Sequence, residues 1–186
     1  MIFENGQKTQ PITRLQVIEA FKRVKGNGGN PGVDNITIGE VDSNKRKYLY
    51  PLWNRMASGS YFPRAVRQSF LRKPDGGKRA LGIPTVVDRV AQQVIATELE
   101  NIVDRTFSSN SFGYRPDKSA HQALEQCRIN CMKYSWVIDI DIKGFFDNID
   151  HELLMKAVEW HTDKITYLTV LQTLVGSAHT VARWYY

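Results

Sequence analysis

Four aspartates lie in one short and otherwise apolar stretch, W-V-I-D-I-D-I-K-G-F-F-D-N-I-D-H at positions 136–151. An ionised carboxylate is costly to bury unless it is paired or bound to a metal ion. If the first half of the stretch is a β-strand, its side chains alternate between two faces, and Asp139 and Asp141 share one face. Two carboxylates so placed repel each other unless a cation offsets them. The pair therefore predicts a cation site; the alternative is an edge strand whose carboxylates face water.

The residues that follow Asp141 indicate a nucleotide. Mg²⁺ is typically held by one or two carboxylates together with substrate phosphates. Gly144 comes soon after, and a glycine lets backbone N–H groups approach a bound anion closely. Phe145 and Phe146 are next; a ring there could pack against a sugar, although either could equally belong to an ordinary core. A metal-binding aspartate, a backbone anion site and an aromatic wall together predict a site for a nucleotide triphosphate.

A second group of charged residues lies on a predicted β-hairpin. Residues 64–73 and 78–83 are expected to be its strands, because P-D-G-G at 74–77 is a strong turn signal. The hairpin is rich in basic residues: Arg64, Arg67, Arg72, Lys73, Lys78 and Arg79. Such a cluster fits an anionic ligand, and the alternative is a solvated basic hairpin.

The composition is that of a globular protein with an excess of positive charge. The 186 residues include 25 Lys and Arg and 19 Asp and Glu. This excess of positive charge favours a polyanionic partner such as nucleic acid. The alternative is a basic protein without such a partner. Cys127 and Cys131 lack the further ligands of a zinc site, so we expect two apolar core residues in a reducing cytoplasm. No apolar run reaches the length of a membrane span, so a soluble cytoplasmic protein without a membrane partner is expected.

Helices are expected around the hairpin and the aspartate strand. Apolar residues at helical spacing predict one helix after Thr13, one around residues 49–56 and one from about Asp88. Two more helices are predicted, one ahead of the aspartate strand and one that begins after Asp150 as its N-cap residue. The stripes expected to face inward are Leu15, Ile18, Phe21 and Val24 in the first helix, Ala120, Leu124, Cys127 and Cys131 in the fourth, and Leu153, Leu154, Ala157 and Val158 in the last. Between the first two helices lies the glycine-rich segment K-G-N-G-G-N-P-G-V, which lacks the P-loop pattern.

Taken together, these segments resemble the reverse transcriptases encoded by bacterial group II introns, of the retron-like type. D-I-K-G-F-F-D-N-I-D-H is similar to the first catalytic motif of that family, and K-G-N-G-G-N-P-G-V-D to its N-terminal loop segment. S-G-S-Y-F-P and R-K-P-D-G-G-K-R-A-L-G-I-P-T-V-V-D-R-V-A-Q-Q resemble its fingers hairpin and the following helix, and S-F-G-Y-R-P the next block. The blocks follow the order of the family between about residues 25 and 160.

The resemblance implies an α+β fold, the fingers of a right-hand polymerase followed by an incomplete palm. Residues 1–90 would form the fingers, with an N-terminal extension loop and the basic hairpin. Residues 91–186 would form a partial palm, in which an antiparallel sheet packs on helices and carries the first catalytic aspartate. The oligomeric state stays open.

The resemblance also implies roles for individual residues. Asp141 would be the catalytic, metal-binding aspartate, with the carbonyl oxygen of Ile142 as a second ligand of Mg²⁺. The residues implied to bind the incoming dNTP are Lys73, Arg79, Gly144, Phe145 and Phe146, with Phe146 excluding a ribose 2′-hydroxyl. Contacts with nucleic acid are expected from Asn27, Gly28, Arg64, Arg67 and Arg115.

The implied function is RNA-directed DNA polymerisation on an RNA template, from a DNA primer and dNTPs, in support of the splicing and mobility of a group II intron. The sequence departs from the family pattern in one respect, because no aromatic-x-Asp-Asp motif follows Asp141; Asp163 is the only aspartate after Asp150. Phosphoryl transfer with two metal ions requires carboxylates from both motifs. We therefore expect the chain to be a fragment that is inactive alone. The alternative is a non-catalytic RNA-binding module on the same scaffold.

Overall fold

The computed structural model describes residues 12–72, 74, 76–145 and 148–183, with Arg79 and residues 177–183 described by their backbone alone. Lys73 and Phe146, both predicted to bind the dNTP, lie outside the described residues. The described elements in chain order are α1 (Arg14–Asn27), α2 (Ile38–Ser43), α3 (Lys45–Ala57), β1 (Arg67–Arg72), β2 (Lys78–Ile83), α4 (Val86–Val103), a 3₁₀ turn (Asp104–Thr106), α5 (Ala120–Cys131), α6 (His151–His161) and α7 (Ile165–Arg183).

The core lies between helices. α4 packs against α1, α3 and α7, and its buried positions Val90, Ala91, Val94 and Ile95 lie at the centre of this packing. Side chains from the other helices and their flanking residues complete the core: Ile12, Val17, Ala20, Phe21, Val24, Val41, Leu49, Leu52, Met56, Tyr61, Tyr167 and Val170. Burial of this apolar surface is the main source of stability in such a bundle.

The first helix begins where the sequence predicts, but its buried face differs from the predicted one. The side chains of Thr13 and Gln16 form a reciprocal capping box, which satisfies N–H groups at the start of α1. Phe21 and Val24 are buried as expected, whereas Leu15 and Ile18 are exposed. Val17 and Ala20 are also apolar, so the helix has two overlapping apolar stripes that share Phe21 and Val24. The position of α4 decides that the stripe with Val17 and Ala20 is buried, rather than the one with Leu15 and Ile18.

The hairpin is confirmed. β1 and β2 pair antiparallel from Arg67 opposite Ile83 to Arg72 opposite Lys78, so residues 73–77 connect them. β1 is shorter than predicted, because pairing begins at Arg67 rather than at residue 64.

The strand predicted for residues 136–142 is not formed, so this prediction is wrong. Residues 136–142 have no regular secondary structure, and both alternating sets of side chains are exposed, with Trp136 at 88% in one set and Val137 at 75% in the other. A strand is stabilised by a hydrogen-bonded neighbour and a covered face. Within the described part of the chain, β1 and β2 are the only paired strands and they pair with each other.

The helices that flank this segment are less buried than predicted. α5 and α6 form at the expected positions, but neither contains a fully buried residue. Cys127 and Cys131 are exposed rather than core residues, and Leu124 and Leu153 are also exposed. The predicted apolar face of α5 is therefore exposed, whereas that of α6 is partly covered, with Leu154 and Val158 half-buried and α7 packed against the helix.

The fold is thus a mixture of helices with a small antiparallel two-stranded sheet, which confirms the α+β class at that level. The fingers and palm names and the division after residue 90 stay predictions. Among the helices that the structure describes, none is long and apolar enough to cross a membrane.

Candidate catalytic segment and nucleic-acid interface

Asp139 and Asp141 lie between α5 and α6 with exposed side chains. Neither carboxylate has a recorded hydrogen bond or ion pair in the described residues, so both are open to a ligand. Carboxylate and backbone carbonyl oxygens are the donors that Mg²⁺ prefers, and Asp141 and Ile142 offer both types. The described residues contain no cluster of three or more His, Cys, Asp or Glu that could hold a metal ion. The donor chemistry therefore fits Mg²⁺, with substrate oxygens needed to complete the ligand set.

The turn after Asp141 is shaped by Gly144 and Asn148. Gly144 has a positive φ of 62°, and its carbonyl oxygen accepts hydrogen bonds from the backbone N–H of Asn148 at 3.1 Å and from the Nδ2 of Asn148 at 2.8 Å. Asp150 then accepts from the N–H groups of Glu152 at 2.9 Å and Leu153 at 3.0 Å, which confirms it as the N-cap of α6. These hydrogen bonds determine the path of the chain from Asp141 to the start of α6.

The hairpin places two cations opposite one another at its turn end. Arg72 and Lys78 are directly paired across the two strands, and both are exposed. Arg79 lies one position further along β2, opposite Leu71. Like charges opposite each other destabilise an antiparallel pair. No acidic partner is recorded for Arg72 or Lys78 among the described residues, so a bound anion would relieve this repulsion.

The base of the hairpin is attached to a buried carboxylate that sequence reasoning did not identify as important. Asp88 is only 3% exposed, and its Oδ1 accepts a hydrogen bond from the hydroxyl of Tyr61 at 2.5 Å. Its Oδ2 accepts from the hydroxyl of Thr85 at 2.7 Å and from the backbone N–H of Arg64 at 3.3 Å. Burial, together with the adjacent negative charge of Asp88, raises the pKa of Tyr61. The spacing Thr85-x-x-Asp88 is typical of a helix N-terminus, and it is the feature of the sequence that could have identified Asp88.

The glycine-rich loop is held to the same turn of α4. The guanidinium of Arg89 donates to the carbonyl oxygens of Gly28 at 3.1 Å and Asn30 at 2.8 Å. Gly32 is buried against the backbone of Thr85. Asp34, with a side chain only 7% exposed, pairs with Arg64 at 3.8 Å. The structure therefore brings the predicted contacts Asn27, Gly28 and Arg64 to one region, at the start of α4.

Arg115 is engaged within the protein. Its five N–H groups donate to the carboxylate and carbonyl oxygens of Asp104 and to the carbonyl oxygens of Ser108 and Ser111. The hydrogen bond to Arg115 lowers the pKa of Asp104, and the same bond raises the pKa of Arg115. These contacts favour a role for Arg115 in shaping the loop of residues 104–115.

A family described as reverse transcriptase (RNA-dependent DNA polymerase) matches residues 71–183. Protein YkfC of Escherichia coli K12 is 30% identical over 176 residues, which cover 92% of this chain and 46% of that protein. The group II intron-encoded protein LtrA of Lactococcus lactis subsp. cremoris is 39% identical over 140 residues, covering 75% of this chain and 23% of LtrA.

A third relative is an uncharacterized 91 kDa protein in the cob intron of Schizosaccharomyces pombe, 37% identical over 187 residues, which cover 100% of this chain and 23% of that protein. The chain therefore spans less than half the length of each of these three relatives.

Proposed function

Because the chain belongs to the reverse transcriptase (RNA-dependent DNA polymerase) family, we propose that the protein that carries it adds deoxynucleotides to a DNA primer on an RNA template. The resemblance to group II intron-encoded proteins is confirmed by the relatives. The observation that carries the proposal is the family match over residues 71–183, which contain both β2 of the basic hairpin and Asp141. Intron RNA as a natural partner, a role in splicing or mobility, and a cytoplasmic location are further parts of the proposal.

In this proposal Asp141 and Ile142 hold Mg²⁺ through a carboxylate and a carbonyl oxygen, together with the triphosphate of the incoming dNTP. The exposure of both residues supports this, since a substrate can reach them. Bound Mg²⁺ supplies charge neutralisation at the transferring phosphoryl group. The backbone N–H groups of Gly144 and Phe145 donate to the triphosphate, and Phe146 excludes nucleotides with a 2′-hydroxyl.

The basic hairpin grips the same triphosphate through Lys73 and Arg79. The guanidinium of an arginine is suited to this role because its planar fork binds phosphate oxygens at two points. The direct pairing of Arg72 with Lys78 supports an anionic ligand at the turn end of the hairpin, because like charges in these positions repel each other.

The nucleic-acid contacts of the proposal lie at the start of α4. Arg64, Arg67 and the loop that contains Asn27 and Gly28 contact the template. The exposed side chain of Arg64 and the exposed amide of Asn27 support this part of the proposal. Arg115 contributes by shaping the loop of residues 104–115.

A non-catalytic RNA-binding module is the second candidate. It is favoured by the exposed, irregular segment around Asp141. Primer extension separates the two candidates, because a module of this kind retains RNA binding without extending a primer.

The test of the polymerase is extension of a DNA primer on an RNA template with Mg²⁺ and dNTPs, with the full-length protein. Asp141→Ala is expected to reduce extension to background while RNA binding persists. Asp163→Ala, which removes another exposed aspartate, is the matched control and should leave extension unchanged. Extension that survives Asp141→Ala would remove Asp141 from the catalytic site. RNA binding by the wild type with no extension would favour the second candidate.

A further inference from the structure

Arg89 spans the glycine-rich loop, which begins at Asn27, the last residue of α1, and ends at residue 33, with two hydrogen bonds. Its Nη1 donates to the carbonyl oxygen of Gly28 and its Nη2 to that of Asn30, at 3.1 and 2.8 Å. The two carbonyls belong to residues two apart, and the planar fork engages both at once. A lysine has the same charge but lacks this fixed two-point geometry.

The residue between the two carbonyls fits this arrangement closely. Gly29 has a φ of +110°, which side chains rarely adopt, and a Cβ added to it would lie 2.6 Å from Nη1 of Arg89. The far end of the loop is attached as well, because Gly32 packs on the backbone of Thr85. The loop is therefore held at both ends by the first turn of α4 and the residue before it.

These contacts determine which groups the loop presents outward. The carbonyl oxygens of Gly28 and Asn30 face the guanidinium, while the side chains of Asn27 and Asn30 are exposed. In the described residues no acceptor is recorded for these side-chain amides or for the backbone N–H groups of Gly29 and Asn30. Neutral N–H donors of this kind bind phosphate oxygens of nucleic acids and fix the register of the complex.

Arg89 itself is turned towards the protein. Its Nε is buried without a recorded partner in the described chain, and the nearby acid is Asp34. Burial lowers the pKa of Arg89, although the charge of Asp34 opposes this. The guanidinium is thus directed at the loop rather than at solvent.

We propose that Arg89 is a positioning residue, which holds the glycine-rich loop in the conformation that presents its amides to the phosphates of bound RNA. The proposal rests on the proposed function, because it takes the loop to be a nucleic-acid contact. Arg89 acts through the loop and does not touch the RNA.

The test is the affinity of the chain for a fluorescently labelled single-stranded RNA, measured at several salt concentrations. Arg89→Met is expected to weaken binding about 5-fold or more, the equivalent of one lost neutral hydrogen bond. The dependence of log K on log salt should keep its slope, because neutral donors displace no counterions. A slope reduced by about 0.7 would instead mean that Arg89 contacts a phosphate directly, and would overturn the proposal.

Two further variants separate the geometry of Arg89 from its charge. Arg89→Lys keeps the charge and should still lose affinity, so full binding by this variant would contradict the proposal. Gly29→Ala disturbs the same contact from the loop, and the double variant with Arg89→Met should bind no more weakly than the weaker single variant. Gly26→Ala is the matched control, since no atom lies within 4 Å of its added Cβ, and it should bind like the wild type.

Two readouts distinguish the possible failures. Thermal unfolding shows that each variant is folded at the temperature of the binding experiment. Limited proteolysis should show faster cleavage within residues 27–33 in Arg89→Met than in Gly26→Ala. A wild type that binds no RNA would overturn the proposed function itself. A wild type that binds RNA, with Arg89→Met and Gly29→Ala binding equally well, would overturn the role of Arg89 alone.

Discussion

The same residue type has three different roles in this chain, and its surroundings decide which. Asp88 is buried and accepts hydrogen bonds from two hydroxyl groups and one backbone N–H. Asp150 caps a helix, and Asp141 is exposed with no recorded partner in the described residues. A carboxylate whose oxygens are already satisfied has little capacity left for a metal ion. Of these three aspartates, Asp141 therefore remains the one suited to bind Mg²⁺.

Gly32 is a residue at which a single methyl group should destabilise the fold. A Cβ there would lie 2.6 Å from the N and 2.7 Å from the Cα of Thr85, and 2.9 Å from the carbonyl carbon of Pro84. These are backbone atoms, so the loop or the start of α4 must move. Gly32→Ala is expected to lower the free energy of unfolding by about 1–3 kcal/mol, as overpacking does. Denaturant unfolding measures this.

The control for Gly32→Ala is Gly26→Ala in the last turn of α1, where no atom lies within 4 Å of the new Cβ. Alanine is a better helix former than glycine, so this variant should equal or exceed the wild type in stability. Equal stability of Gly32→Ala and the wild type would show that the loop does not pack on Thr85 as described.

At the scale of elements, the start of α4 organises the candidate nucleic-acid interface. Thr85 and Asp88 anchor the base of the hairpin through Arg64, and Arg89 anchors the glycine-rich loop. Two segments separated by more than thirty residues in sequence are thus attached to a single helical turn. Changes in this turn should affect both segments together.

The loop of residues 104–115, which follows α4, should give the stability of the protein a specific pH dependence. The hydrogen bond from Arg115 lowers the pKa of Asp104 in the folded state. A depressed pKa means that the stabilisation is present above the unfolded pKa of about 4 and is lost as the pH falls through the folded value. Asp104→Asn should therefore lower Tm near neutral pH, and the difference from the wild type should shrink below about pH 4.

The comparison for Asp104→Asn is Glu125→Gln. Glu125 pairs with Arg128 on the surface of α5, and this bond also lowers its pKa, but both partners are largely exposed. Such a pair contributes little, so the Tm of Glu125→Gln should stay close to that of the wild type over the whole pH range. A Tm difference for Asp104→Asn that does not vary with pH would contradict the assigned ion pair.

At the scale of the whole molecule, the net charge of +6 predicts RNA binding that weakens with salt. If Arg64, Arg67, Arg72 and Lys78 each neutralise one phosphate of single-stranded RNA, log K should fall with log salt with a slope of about −3. The 186-residue chain should bind RNA in this way without extending a primer. Fluorescence anisotropy at increasing salt, with a parallel extension assay, measures both.

Matched double variants assign that slope to the hairpin. Arg72→Gln with Lys78→Gln should reduce its magnitude by about 1.4, because two phosphate contacts are lost. The control is Arg23→Gln with Lys45→Gln, which also removes two positive charges. Because Arg23 and Lys45 are already paired with Glu100 and Asp42, this control should change the slope less than the hairpin variant does. Binding that does not respond to salt would contradict an electrostatic interface.

Much of the secondary structure could be predicted because its signals are local. The capping residues Thr13 and Asp150, the turn at residues 74–77 and the apolar spacing of α3 and α4 depend on interactions a few residues long. The short α2 and the long α7 were not predicted, although α7 contributes Tyr167 and Val170 to the core. A hydrogen bond from Gln16 to Tyr167 attaches α7 to α1, and an ion pair between Lys164, the residue before α7, and Glu98 attaches it to α4. Each contact joins residues more than sixty positions apart in sequence.

The sequence by itself determined the family, the order of the motifs, the hairpin and most of the helices. The tertiary structure alone decided which stripe of α1 is buried, that residues 136–142 form no strand, and that Arg89 holds the glycine-rich loop. The physical reason is that a motif or a cap is complete within a few residues, whereas burial and strand pairing depend on a distant partner. Asp141 illustrates both: its motif identifies it from the sequence, and its exposure is a property of the folded chain.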